Sequence, residues 1–188
     1  MNVKSAPSLH SFFQEAVSSA IRNQGIEASE MTEFYVVNLL ADFAHTPPSD
    51  EALALKVCRG LQEGASSRMQ KLREVGDTSL FVSGFFPDSL NRSLIDVDYY
   101  IGMGELAYGH LAHAGAASRG ALWRGVFAEL ADNFKRFVAV LAEISSDSAV
   151  GSPANILRLY EKYLKTGSES VLEKLRRRGF VVRRGTVH

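Results

Sequence analysis

The sequence predicts an all-α fold, a single irregular bundle of about seven or eight helices. Three observations carry that prediction. Trp123, Phe127, Leu130, Phe134, Phe137, Leu141 and Ile144 recur at alternating spacings of four and three, a heptad seam through one long segment. Serines, glycines and prolines divide the rest of the chain into pieces of helical length, with capping residues at their starts and breakers at their ends. No pair of alternating apolar and polar runs offers two partner strands.

A chain of 188 residues, 46% hydrophobic and 22% charged, is of ordinary globular composition and sized for about one domain. The N-terminus MNVKSAPSLHSFF lacks the uninterrupted apolar core of a signal peptide, and no apolar run approaches the roughly 20 residues of a membrane span. A cytoplasmic location is therefore expected. The lone Cys58 excludes an internal disulfide and reads as a small hydrophobe on a helix.

Ser8 or Ser11 caps the first helix, with Leu9, Phe13 and Val17 on its apolar stripe, and Gly25 ends it. Ser29 or Thr32 starts the second, which His45-Thr46-Pro47-Pro48 stops. Ser49 is expected to cap the third, with Leu53, Val57 and Leu61 as its buried edge and Gly64 closing it. The fourth begins at Ser66 or Ser67. After Gly76 it is apolar nearly all round, which predicts a central, buried helix. Gly76-Asp77 predicts a bend there or a fresh cap, and Pro87 ends the segment.

Ser93 and Asp96 read as a capping box for DVDYYIGMGELAYGHLAHAG, a helix carrying Gly102, Gly104 and Gly109 in its interior. Each interior glycine costs roughly 1 kcal/mol relative to alanine, so something is expected to offset it. Gly104 falls within the apolar stripe and predicts a bulky neighbour from the aromatic seam. Gly102 and Gly109 fall on the opposite arc with Asp98, Glu105 and His113, flanked by Tyr99 and His110. That arc is the expected ligand or partner face. The seam helix is expected to run unbroken from about residue 117 to 145. Ser152-Pro153 and Ser168 each open a further helix, and Gly179 ends the domain at residues 1–179. Residues 180–188 form a basic, extended tail.

Zero net charge conceals an asymmetry, because Lys174, Arg176, Arg177, Arg178, Arg183 and Arg184 face only Glu173 across residues 171–188. That end reads as a helix terminus matched to its dipole, and nucleic acid is not the expected partner. His110 and His113 lack the accompanying carboxylates of a metal site, so no metal and no cofactor follow from the residues. The Gly102-x-Gly104 pattern lies mid-helix, without the strand a dinucleotide fingerprint requires. Glu105 and His113 sit about 12 Å apart along a helix axis and would need groups from another helix to do acid–base chemistry.

The run LREVGDTSLFVSGFFPDSL followed by VDYYIGMGELAYGHLA resembles a group of uncharacterised bacterial all-helical proteins over about residues 70–112. The resemblance implies one compact helical domain and carries no activity. The glycine-bearing helix, with His10 in SLHSFF, is also similar to the heme oxygenases, which pair a glycine-rich distal helix with a histidine near the N-terminus. That likeness implies heme as a ligand. The residues together favour a non-enzymatic interaction or regulatory module that binds a protein partner or self-associates as a homodimer. The alternative is a bundle that binds a small ligand or cofactor.

Overall fold

The computed structural model describes residues 9–46, 48, 51–86, 96–114 and 121–146, together with Leu172. Among them are seven helices and no strand: α1 (Leu9–Asn23), α2 (Glu30–His45), α3 (Leu53–Gln62), α4 (Ala65–Phe85), α5 (Val97–His113), α6 (Ala121–Asp132) and α7 (Phe134–Ser146). The chain is all-α, as its sequence predicts. The basic stretch from Lys174 to Arg184, the capping residues Ser49 and Ser93, and the helices expected after Ser152 lie outside the described residues.

Local chemistry sets several of the boundaries. Gly25, at φ +60°, follows α1, where Ile26 N–H donates to Ile21 O and Gly25 N–H to Arg22 O, both at 3.1 Å. These two bonds satisfy carbonyls that the helix end would leave bare. The hydroxyl of Ser29 accepts from Thr32 N–H at 3.2 Å and caps α2, which ends at His45 before the two prolines. Asp96 occupies the N-cap position of α5, rather than the third position of a box opened by Ser93, and accepts from Tyr99 N–H at 2.9 Å. The other starts differ from expectation. Ala52 precedes α3 and Gly64 precedes α4, neither with a side-chain cap. Cys58 lies on the exposed side of α3, outside the core.

Helix α4 is the axis of the molecule. It packs against α3, α5 and α7, while α5 packs also on α6 and α1 packs on α2 and α7. Its second half is buried on every side, including Val75, Gly76, Ser79, Leu80, Phe81 and Phe85. No fresh cap forms at Gly76-Asp77, and the helix runs through them unbroken. Gly76 is kept open by its neighbour instead. A Cβ there would stand 2.5 Å from Cε1 of Tyr108, whose ring lies across α4.

From Phe127 onward the aromatic seam packs as its spacing predicts, with one interruption, whereas Trp123, its first member, is 40% exposed. Phe127, Leu130, Phe134, Phe137, Leu141 and Ile144 are buried, and the ring of Phe134 fills the space a Cβ at Gly104 would take. The single long helix, however, divides at Asn133. Its side-chain amide donates to Glu129 O at 3.2 Å, the carbonyl to which its own N–H donates at 3.1 Å. Such side-chain competition for a ladder carbonyl perturbs a helix locally. Polar contacts then tie α1 and the loop after it to this layer. Arg136 donates to Gly25 O at 2.9 Å, Asn23 and Gln24 donate to Glu143 at 2.7 and 2.6 Å, and Ser29 N–H donates to Glu129 at 2.9 Å.

Candidate ligand-binding site

Three side chains, one from each of three helices, converge on a buried carboxylate. Asp77 on α4 accepts from the Tyr35 hydroxyl of α2 at 2.5 Å and from the Tyr108 hydroxyl of α5 at 2.8 Å, both on Oδ1. Its Oδ2 lies 3.5 Å from Nε of Arg73, one helical turn earlier. The same Nε donates to the Tyr35 hydroxyl at 3.1 Å, and the guanidinium sits 5.2 Å from the Tyr35 ring centroid. The Gly76 notch lets the Tyr108 ring reach this position.

The electrostatics follow from burial. Asp77 is 17% exposed. Desolvation pushes its pKa up to about 6, against the lowering influence of the two hydroxyls and Arg73. Both phenols are held well above their ordinary range, first by burial and then by the adjacent Asp77 charge. Desolvation works to lower the Arg73 pKa, and Tyr35 and Asp77 overcome it and raise it. The carboxylate thus serves as an anchor, holding two rings and one cation in place.

A cavity of about 360 Å³ adjoins this cluster. Met69, Gln70 and Arg73 line it from α4, Leu111 and Ala114 from the end of α5, and Trp123, Arg124 and Phe127 from α6. Its aromatic wall is braced by the cluster behind it. Tyr35 meets the rings of Trp123 and Phe127 edge-on, at 5.9 and 5.5 Å between centroids, and Tyr108 stacks on Phe127 at 5.7 Å. Arg124 lines the cavity, and its Nε is buried with no hydrogen-bond partner among the described residues. These eight lining residues supply apolar walls and N–H donors, and include no carboxylate, imidazole or thiol.

The face expected from the sequence lies elsewhere. Asp98, Gly102, His110 and His113 are exposed, and Tyr99, Glu105 and Gly109 are half-buried. A Cβ at Gly102 or Gly109 would meet nothing within 4 Å. His113 Nδ1 lies 2.7 Å from Gly109 O on its own helix. None of these seven residues lines the cavity. Among the described residues no group of three or more potential metal ligands forms. His10 packs against Phe34 at 6.3 Å and is likewise outside the cavity lining. The residues there do not fit the histidine-ligated heme that the heme oxygenase likeness implies.

Sequence reasoning missed Tyr35, Arg73, Asp77, Tyr108 and Arg124. The signal within reach was Arg73-x-x-x-Asp77, an ion pair at i,i+4 running into an otherwise apolar helix. A charge at the start of a fully apolar stretch needs partners, and hydroxyls from other helices are among the few that fit. Comparison with protein-family models, with curated proteins and with solved structures finds no match.

Proposed function

We propose that this protein binds a small molecule in the cavity between α4, α5 and α6. The observation that carries the reading is the cavity itself. At about 360 Å³ it falls within the range of ligand pockets, and its mostly apolar wall carries a few placed polar groups. An engineered apolar cavity of about 150 Å³ already takes benzene, so this one, at more than twice that volume, has room for a body of two to three rings. The uncharged dye N-phenyl-1-naphthylamine tests the reading. Its emission should rise on saturable binding to the full chain, and Ala114→Phe should abolish the rise while leaving the melting temperature within a few degrees. No enhancement, or equal enhancement in Ala114→Phe, refutes it.

A second reading, as a protein-interaction module, is favoured by the adjacent Leu122 and Trp123 at the start of α6, which are 69% and 40% exposed. An apolar pair at a surface suits a protein contact. Sedimentation velocity across a concentration series distinguishes a self-associating chain from a monomer, and Leu122→Ser should weaken any such association.

A further inference from the structure

We infer that the cavity takes a flat aromatic molecule carrying a neutral acceptor oxygen, as in an aromatic ketone, and that Arg73 donates to that oxygen. The inference rests on the ligand-binding reading above and adds the chemistry of recognition.

Arg73 lines the cavity with its head already fixed by other groups. Its Nε donates to the Tyr35 hydroxyl at 3.1 Å and lies 3.5 Å from Oδ2 of Asp77, while its guanidinium rests 5.2 Å from the Tyr35 ring centroid. These contacts engage Nε and one face of the group. The described hydrogen bonds use none of its terminal N–H groups, and its side chain is 52% exposed. A donor held in this way loses little rotamer freedom when a ligand arrives. Hydrogen bonds from a charged donor are also stronger than those between neutral groups.

The neighbours of Arg73 select the rest of the ligand. The Tyr35 ring that carries the guanidinium also meets Trp123 and Phe127 edge-on, so the donor stands beside the aromatic wall of the cavity. Met69, one turn before Arg73 on α4, adds a thioether, which packs favourably on aromatic rings. Leu111 and Ala114 continue the apolar surface from the end of α5. A purely hydrocarbon ligand would displace water from the Arg73 N–H groups and offer them nothing in return. The charge of Arg73 is already paired with Asp77, so it has a hydrogen bond to give, and a neutral oxygen answers it.

1-Indanone and indane share one flat two-ring frame and differ by a carbonyl. Each is titrated into the full chain by calorimetry, with the emission of Trp123, the chain's one tryptophan and a cavity residue, as reporter. In the wild type the ketone should bind at least as tightly as the hydrocarbon, although water solvates the ketone better. Arg73→Met should weaken 1-indanone by about tenfold or more and indane by less than about twofold. The carbonyl stretch of 1-indanone bound to the wild type should lie below its frequency in hexane, which reads the hydrogen bond without any variant. An equal response of ketone and hydrocarbon to Arg73→Met, or a bound carbonyl frequency equal to that in hexane, overturns the inference. Tighter binding of 1-naphthoate than of 1-indanone overturns it too, because charge would then be what the site recognises. If the uncharged dye still binds in those cases, ligand binding stands and only the acceptor role fails. If dye, ketone and hydrocarbon all fail to bind, the ligand-binding reading fails as well.

Discussion

Asp77→Asn should change how stability responds to pH between about 4 and 6. Burial raises the native Asp77 from 3.8 to about 6. Between those values the native carboxyl holds a proton that the unfolded chain has released. Unfolding then releases close to one proton, and stability falls by about 1.4 kcal/mol for each pH unit gained. Over an interval of about two units this amounts to about 3 kcal/mol. The contribution is fully present below the unfolded value and is lost as pH rises through the native one. Two other carboxylates have the opposite slope. Burial raises Glu129, but hydrogen bonds from Ser29 and Thr32 outweigh it and hold the group low, and bonds from Asn23 and Gln24 hold Glu143 low. Urea unfolding of both proteins from about pH 4 to 8 removes these by subtraction. The stability of wild type minus that of Asp77→Asn should fall by about 3 kcal/mol from pH 4 to 7. A difference that stays level, or that grows with pH, refutes a desolvated carboxyl at this position.

Tyr108→Phe removes a donor that favours the ionised carboxyl. The Asp77 midpoint should move up in a carbon-detected titration; a downward move contradicts the network. The three α5 glycines should separate in urea unfolding. Gly104→Ala drives a methyl into the Phe134 ring and should cost about 1–3 kcal/mol, whereas Gly102→Ala and Gly109→Ala enter open space and should stabilise by about 0.5–1 kcal/mol. Equal effects at all three positions would remove the assigned role of Gly104.

Legibility differed between packing and site for a physical reason. Packing is written periodically. The seam from Phe127 to Ile144 and the small residue at Gly104 declare themselves through spacings of three and four, and Phe134 does occupy the Gly104 notch. The Asp77 network draws one hydroxyl from α2, a carboxylate and a guanidinium from α4 and a second hydroxyl from α5, and sequence distance does not mark such a convergence. Tyr108 is ambiguous in itself, since its ring suits an apolar stripe and its hydroxyl suits a polar cluster. Placing it on the stripe is correct and accounts for half of what it does. Gly76 misleads in a related way. A glycine beside an aspartate suggests a cap, but here it admits the ring that brings a hydroxyl to that aspartate.

The buried network and the cavity form one construction because they share their walls. Tyr35 bonds Asp77 through its hydroxyl and supports Trp123 and Phe127 through its ring, while Tyr108 bonds the same carboxylate and stacks on Phe127. Arg73 belongs to both, with Nε in the network and its side chain at the cavity. A buried charge costs desolvation even when it is paired, so Asp77 has little reason to sit in the middle of α4 on stability grounds alone. Its placement makes sense if what it secures is geometry: one carboxylate fixes two rings and a guanidinium around a space that they would otherwise collapse into. The rigid side of the cavity is therefore the side behind Arg73, Trp123 and Phe127. Arg124 lines the cavity as well, and its buried Nε has no hydrogen-bond partner among the described residues.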